Sequence, residues 1–152
     1  VSEAPEPPAV VFVCARNAVR SPMAEALWRL RFGAESRATS CGVAPASLPD
    51  GHMITVMGEK GVDLSGYECR DIADIADAPA DLVVCLAQDV ADEARAFADK
   101  RGAAYALWAL EDPAYYAARD RFMALAAFRA ARDAIESRIL AFDAESGHDH
   151  AG

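Results

Sequence analysis

Residues 9–13, AVVFV, form an unbroken apolar run rich in β-branched side chains, and Cys14 follows at once. A short run of this kind, without polar alternation, is the pattern of a strand buried on both faces, as in a parallel sheet covered by helices. The polar loop ARNAVRS comes next, and Ser21-Pro22 then leads into MAEALWRLRFG. Serine as N-cap, proline at the first helical position, Glu25 in the first turn, an apolar face of Met23, Leu27 and Leu30, and Gly33 as a stop predict a helix. A buried strand joined to a helix by so short a loop restricts the chain to the α/β class.

The rest of the chain repeats the unit. Residues 36–43 predict a weaker strand, and the turn-rich APASLPDG opens a helix over about residues 50–60 that Gly61 ends. LVVCL at 82–86 is a second buried strand, 89–100 an acid-started helix and 103–107 a short further parallel strand. Apolar residues at helical spacing, Phe122, Leu125, Phe128, Ile135 and Ile139, predict a last helix over about 119–142. Strands alternating with helices through connections too long for hairpins imply right-handed βαβ crossovers, hence a three-layer αβα sandwich with a parallel sheet. Ligands of such sheets bind at the carboxyl ends of the strands.

With 152 residues, 53% of them hydrophobic, the chain suffices for one domain. That domain is expected over 9–145, after a Pro- and Glu-rich lead at 1–8 and before a frayed tail at 146–152. A net charge of -9 argues against nucleic acid or an anionic membrane as partner, so any bound anion needs a local site. No apolar stretch approaches a membrane span and VSEAPEPPA has no signal-peptide pattern, which makes a soluble, cytoplasmic protein the expectation. The four cysteines include no CxxC pair and no histidine at zinc-ligand spacing, so neither a metal site nor a disulfide framework is expected. Cys41, Cys69 and Cys85 read as small core hydrophobes, and Trp28 and Trp108 as core or near-core aromatics. His52 is expected to face solvent at a helix start, and His148 and His150 fall in the tail.

Cys14 reads differently. It sits at the carboxyl end of a strand, and the loop Ala15, Arg16, Asn17, Ala18, Val19, Arg20, Ser21 turns its N–H groups into a nest at a helix N-terminus, which suits a tetrahedral oxyanion. The same field favours the nucleophilic thiolate. Arg20 can pair two oxygens of the anion with its planar fork, and Ser21 can donate its hydroxyl to the sulfur. These are the parts of phosphoryl transfer through a cysteinyl-phosphate, lacking only an acid for the leaving oxygen. Asp112, in the chain's one Asp-Pro dipeptide just after the strand at 103–107, is the predicted general acid.

On these residues the sequence resembles the low-molecular-weight protein tyrosine phosphatases and the related thioredoxin-linked arsenate reductases. VVFVCARNAVRSPMAEAL matches the V-C-x5-R-S loop and helix, Ser40 to Gly42 the S-A-G at a strand end, GVDLSGYECRDI the G-I-D-L-S-x-H-x-x-R segment, LVVCL the third-strand run and LEDPAYY the D-P loop. The resemblance implies a sheet order of 2-1-3-4, Cys14 as nucleophile, Arg20 as phosphate clamp, Asn17 as the residue that holds the loop in shape, Ser21 as hydrogen-bond partner of the thiolate and Asp112 as general acid. It implies no metal and no organic cofactor.

Several positions depart from the pattern. Arg16 stands where glycine is common, and either attracts a second phosphate or acidic peptide or points into solvent. Ala15 and Ala18 replace bulkier residues, which leaves Tyr115 and Tyr116 as the candidates to stack on a substrate ring. Val19 stands where many such phosphatases carry a cysteine that forms a protective disulfide, so oxidation of Cys14 is expected to run further towards sulfonic acid. The internal thiol relay of an arsenate reductase is incomplete: Cys85 lies inside its strand, where it reads as structural unless that strand neighbours Cys14. The expected activity is a phosphomonoester hydrolase acting on a phosphorylated protein or small aryl phosphate. The alternatives are an arsenate reductase served by an external thiol, and an oxyanion-binding regulatory protein with little turnover.

Overall fold

A computed structural model describes residues 6–117 and 119–146; His148, His150 and the ends of the lead and tail lie outside these. Four strands, β1 (Val10–Cys14), β2 (Ala38–Gly42), β3 (Leu82–Cys85) and β4 (Ala104–Leu107), form one parallel sheet in the order β2-β1-β3-β4. β1 is central and all five of its residues are buried. Its register sets Val13 beside both Cys41 and Cys85, and Cys14 beside Gly42.

Four helices cover the sheet: α1 (Arg20–Phe32), α2 (Gly51–Gly58), α3 (Ala91–Arg101) and α4 (Arg121–Glu145). The predicted three-layer α/β class and strand order are the observed ones. Phe12 of β1 meets the Trp28 ring edge-on, with centroids 5.7 Å apart, and Trp28 in turn meets Phe32 and Phe142, so one aromatic cluster ties β1, α1 and α4 together. No helix among the described residues is long and apolar enough to cross a membrane.

Three local expectations give way to packing. Helix α1 starts at Arg20 with Val19 in the N-cap position and no side-chain cap, so Ser21 lies inside the first turn, its hydroxyl directed elsewhere; Pro22 is tolerated there because first-turn N–H groups have no helical partner. Leu30 and Phe122, assigned by spacing to buried faces, are 54% and 86% exposed. His52 does not simply face water: its ring packs on Phe128 at 5.2 Å, which helps seat α2 on α4. A second tie between these helices is ionic, with Glu59 accepting from Arg129 and Arg132.

Candidate active site

The loop after β1 is shaped by where its carbonyl groups go. The carbonyls of Cys14, Ala15, Arg16 and Ala18 accept from the N–H groups of Val43, Ala44, Ala46 and Asp50 at 2.8–3.2 Å. Because each peptide plane sets C=O and N–H on opposite sides, four carbonyls held outward leave the following N–H groups facing inward. Asn17 supplies the turn this requires: it is a non-glycine residue at φ 52°, fully buried, a conformation asparagine tolerates best. Its own N–H points back to Cys14 Sγ at 3.3 Å.

β2 supports this arch from below. A Cβ on Gly42 would lie 2.8 Å from Arg16 C and Asn17 N and 2.9 Å from Ala15 O, so only glycine lets the loop cross here. The next turn of chain, α1, presents Ser21, whose Oγ lies 2.9 Å from Cys14 Sγ and accepts from Asn17 Nδ2 at 2.7 Å. Asn17 Oδ1 accepts from the Tyr67 hydroxyl and from the Arg70 N–H, at 2.8 and 2.7 Å. The Tyr67 oxygen also lies against Ser40 Oγ, which donates to Glu25 Oε1, so the single Tyr67 hydrogen is divided between Asn17 and Ser40. Burial pushes the Tyr67 phenol up to about 12, so it stays protonated across the neutral range. This backing of Tyr67, Ser40, Glu25 and Arg70 was missed by sequence reasoning. Its traces lay in the match of Ser40 to Gly42 and in GVDLSGYECRDI, where tyrosine stands in place of the histidine of the resembled pattern.

Above the loop, Arg20 is buried and reaches to the segment after β4. Its Nη1 donates to the Leu110 carbonyl at 2.9 Å and its Nη2 lies 3.7 Å from Asp112 Oδ2. Asp112 also caps the turn that follows, Oδ1 accepting from the Ala114 N–H, with Pro113 holding that turn in place. Cys14, Arg16, Ala18, Val19, Arg20, Ala46, Leu48, Asp50, Asp112 and Ala114 line one cavity of about 190 Å³. The sequence-predicted thiol, arginine and acid therefore meet in one cavity.

Tyr115 and Tyr116 do not line it. Tyr115 is 64% exposed and packs edge-on against Tyr116, whose hydroxyl donates to Glu111 on the outer side of the loop. The side walls are Ala18, Ala46, Ala114 and the 76% exposed Leu48. Arg16 is exposed at the mouth, and no ion pair of its side chain is found among the described residues.

The other thiols stand back from the cavity. Cys41 and Cys85 are fully buried, and burial pushes both thiols up from their ordinary range. Cys85 donates to the Ala87 carbonyl at 3.1 Å, and its strand does neighbour β1. Cys69 is partly exposed, beside Arg70. Among the described residues no group of three His, Cys, Asp or Glu side chains is placed to hold a metal ion.

Comparison with known proteins agrees with this geometry. Residues 9–150 match the family described as low molecular weight phosphotyrosine protein phosphatase. An arsenate reductase of Halalkalibacterium halodurans is 32% identical over 138 residues, covering 91% of this chain and 96% of the relative. A solved arsenate reductase in the phosphate binding state is 28% identical, with a TM-score of 0.72, covering 90% of this chain and 96% of the other. Vibrio vulnificus Wzb in complex with benzylphosphonate, at 20% identity, shares the fold, with a TM-score of 0.71 over 90% of this chain and 97% of its own. The buried strand ending in Cys14, the inward-facing loop and the matched length together place the chain in the low molecular weight phosphotyrosine protein phosphatase family.

Proposed function

We propose that the protein hydrolyses phosphomonoesters through a cysteinyl-phosphate. The observation that carries this reading is the meeting of Cys14, Arg20 and Asp112 in one cavity whose floor is the inward-facing loop. Cys14 as thiolate attacks phosphorus in line while the N–H groups of residues 15–21 and the Arg20 guanidinium hold the equatorial oxygens, where charge builds up. Asp112 gives a proton to the departing oxygen. It then takes one from the water that cleaves the S–P bond, which regenerates the thiolate and releases phosphate. Ser21 donates to the sulfur when it leaves. Arg20 and Asp112 face each other, so the guanidinium that pairs with an anion in the loop also has the acid beside it.

The alanine side walls favour a slim substrate over one held by ring stacking, with phosphotyrosine or a small aryl phosphate entering from the open side. Hydrolysis of para-nitrophenyl phosphate by wild type, lost in Cys14→Ser, tests the reading; a wild type that binds phosphate and does not turn over overturns it.

A second reading, arsenate reduction, is favoured by the 32% and 28% identity to arsenate reductases. Arsenate is also a tetrahedral oxyanion and fits the same loop. Cys41 and Cys85 are buried and the partly exposed Cys69 does not line the cavity, so an external thiol such as glutathione or thioredoxin would complete the cycle. Arsenite formed from arsenate only with added thiol supports it.

A further inference from the structure

The cavity around Cys14 gives the flanks of a substrate little to pack against. Ala18, Ala46 and Ala114 present single methyl groups and Leu48 is 76% exposed, so discrimination between substrates cannot rest on an enclosing apolar slot. Charge is what the lining has instead. Besides Cys14, four of its side chains are charged: Arg16, Arg20, Asp50 and Asp112. Three of them are engaged within the protein. Arg20 donates to the Leu110 carbonyl and faces Asp112, Asp112 accepts from the Ala114 N–H, and Asp50 caps α2 by accepting from the N–H groups of His52 and Met53. Arg16 is the exception: its side chain has no hydrogen-bond or ion-pair partner among the described residues. Its backbone is nevertheless pinned, the carbonyl accepting from the Ala46 N–H at 2.9 Å and the peptide crossing close over Gly42, so the side chain springs from a fixed point on the rim.

We propose that Arg16 is a specificity-determining residue, which selects aryl phosphates that carry a second anionic group beside the ring, as does a phosphotyrosine flanked by Asp or Glu. The proposal rests on the reading of the loop as the phosphate site. Burial separates the two arginines by task. Arg20, 7% exposed, lies within the site with the loop N–H groups that surround the phosphate, whereas Arg16 is exposed at the mouth, where the rest of the substrate leaves the cavity. A guanidinium there can take both oxygens of a carboxylate through its planar fork. The surrounding field makes this pairing selective. In a chain of net charge -9, with Asp50 and Asp112 in the lining, an acidic flank meets repulsion everywhere but beside Arg16.

The test is a ratio of affinities in Cys14→Ser, with Arg16 intact and with Arg16→Gln, read by fluorescence anisotropy. Two phosphotyrosine peptides are titrated that differ only in their flanking residues, Glu in one and Gln in the other. With Arg16 intact the Glu peptide is expected to bind about 5-fold tighter, the upper range for one exposed ion pair, and the ratio to fall to about 1 in Arg16→Gln. High salt is expected to erase the ratio without any change at Arg16, which keeps the test decisive if Arg16→Gln does not fold. A ratio that neither the substitution nor salt moves overturns the proposal. So does an equal loss for both peptides, since the guanidinium then acts on the phosphate itself, and so does binding of neither peptide. The pair 4-carboxymethylphenyl phosphate and its amide tells the source of the second anion: a ratio in this pair only assigns a small aryl phosphate, a ratio in the peptides only a phosphoprotein, and either supports the proposal. Binding needs no turnover. A preference in a protein whose wild type hydrolyses neither peptide keeps the proposal and removes the phosphatase reading; a wild type that hydrolyses both, with equal affinities in Cys14→Ser, does the reverse.

Discussion

Arg20 Nη2 lies 3.7 Å from Asp112 Oδ2, and this one contact joins two segments ninety-two residues apart, the loop after β1 and the turn after β4. The aspartate side chain is 39% exposed, so the pair adds little to stability. Its consequence is geometric. Asp112→Asn keeps the size and the Ala114 contact and removes the proton donor. We expect kcat for para-nitrophenyl phosphate to fall by about 10²- to 10³-fold with KM little changed, and the loss to shrink for substrates with better leaving groups, as steady-state kinetics on a series of aryl phosphates will show.

Cys14→Ser retains the loop carbonyl bonds, the inward N–H groups and Arg20. Turnover is expected to vanish while phosphate still binds, seen as a rise in melting temperature with phosphate concentration by mass action. Loss of the phosphate response would show that Cys14 holds the loop open.

Gly42→Ala places a methyl group within 2.8–2.9 Å of the loop backbone. Neither partner is the free end of a side chain, so the arch must shift. The variant is expected to fold with a loss of about 1–3 kcal/mol in denaturant unfolding and to lose most of its phosphate affinity, because the inward N–H groups no longer converge. Full affinity would place the anion elsewhere.

Peroxide treatment tests the isolation of Cys14. Cys41 and Cys85 are fully buried, with thiols pushed up by burial, and Val19 provides no neighbouring thiol. Mass spectrometry is expected to find Cys14 as sulfinic and sulfonic acid. A disulfide from Cys14 to Cys69 or Cys85 would contradict this.

Glu59 ties α2 to α4, and the Arg129 and Arg132 hydrogen bonds lower its carboxyl from the ordinary 4.5 to about 2. A carboxyl depressed in the folded state adds stability at pH above its unfolded value and loses it as protons bind, so the loss falls as pH drops from about 4.5 to 2. Thermal unfolding of wild type should decline across that window more steeply than that of Glu59→Gln. Parallel curves would show that the exposed clamp contributes nothing.

Local sequence carried the class of the fold and the chemistry of its first loop. AVVFVC followed by a polar loop and a helix start is a strand, a nest and a thiol, because burial, peptide geometry and helix polarity act within a dozen residues. The strand order came from resemblance to known sequences, and the parallel sheet agrees with it. Tertiary structure decided what needed distant partners. Ser21 looked like a helix cap, yet its hydroxyl goes to Cys14 and Asn17 because the arch brings those atoms closer than the helix backbone does. Tyr115 and Tyr116 looked like substrate walls, yet Tyr115 is exposed, Tyr116 lines a separate cavity beside α4, and Ala18, Ala46, Leu48 and Ala114 line the site in their place. The Tyr67–Asn17 contact was beyond sequence alone, since residues fifty positions apart meet only where β2 and the segment after α2 close over the loop. Strand and loop chemistry is short-ranged and written locally; the direction of each proton in the site is set by contacts that only folding assembles.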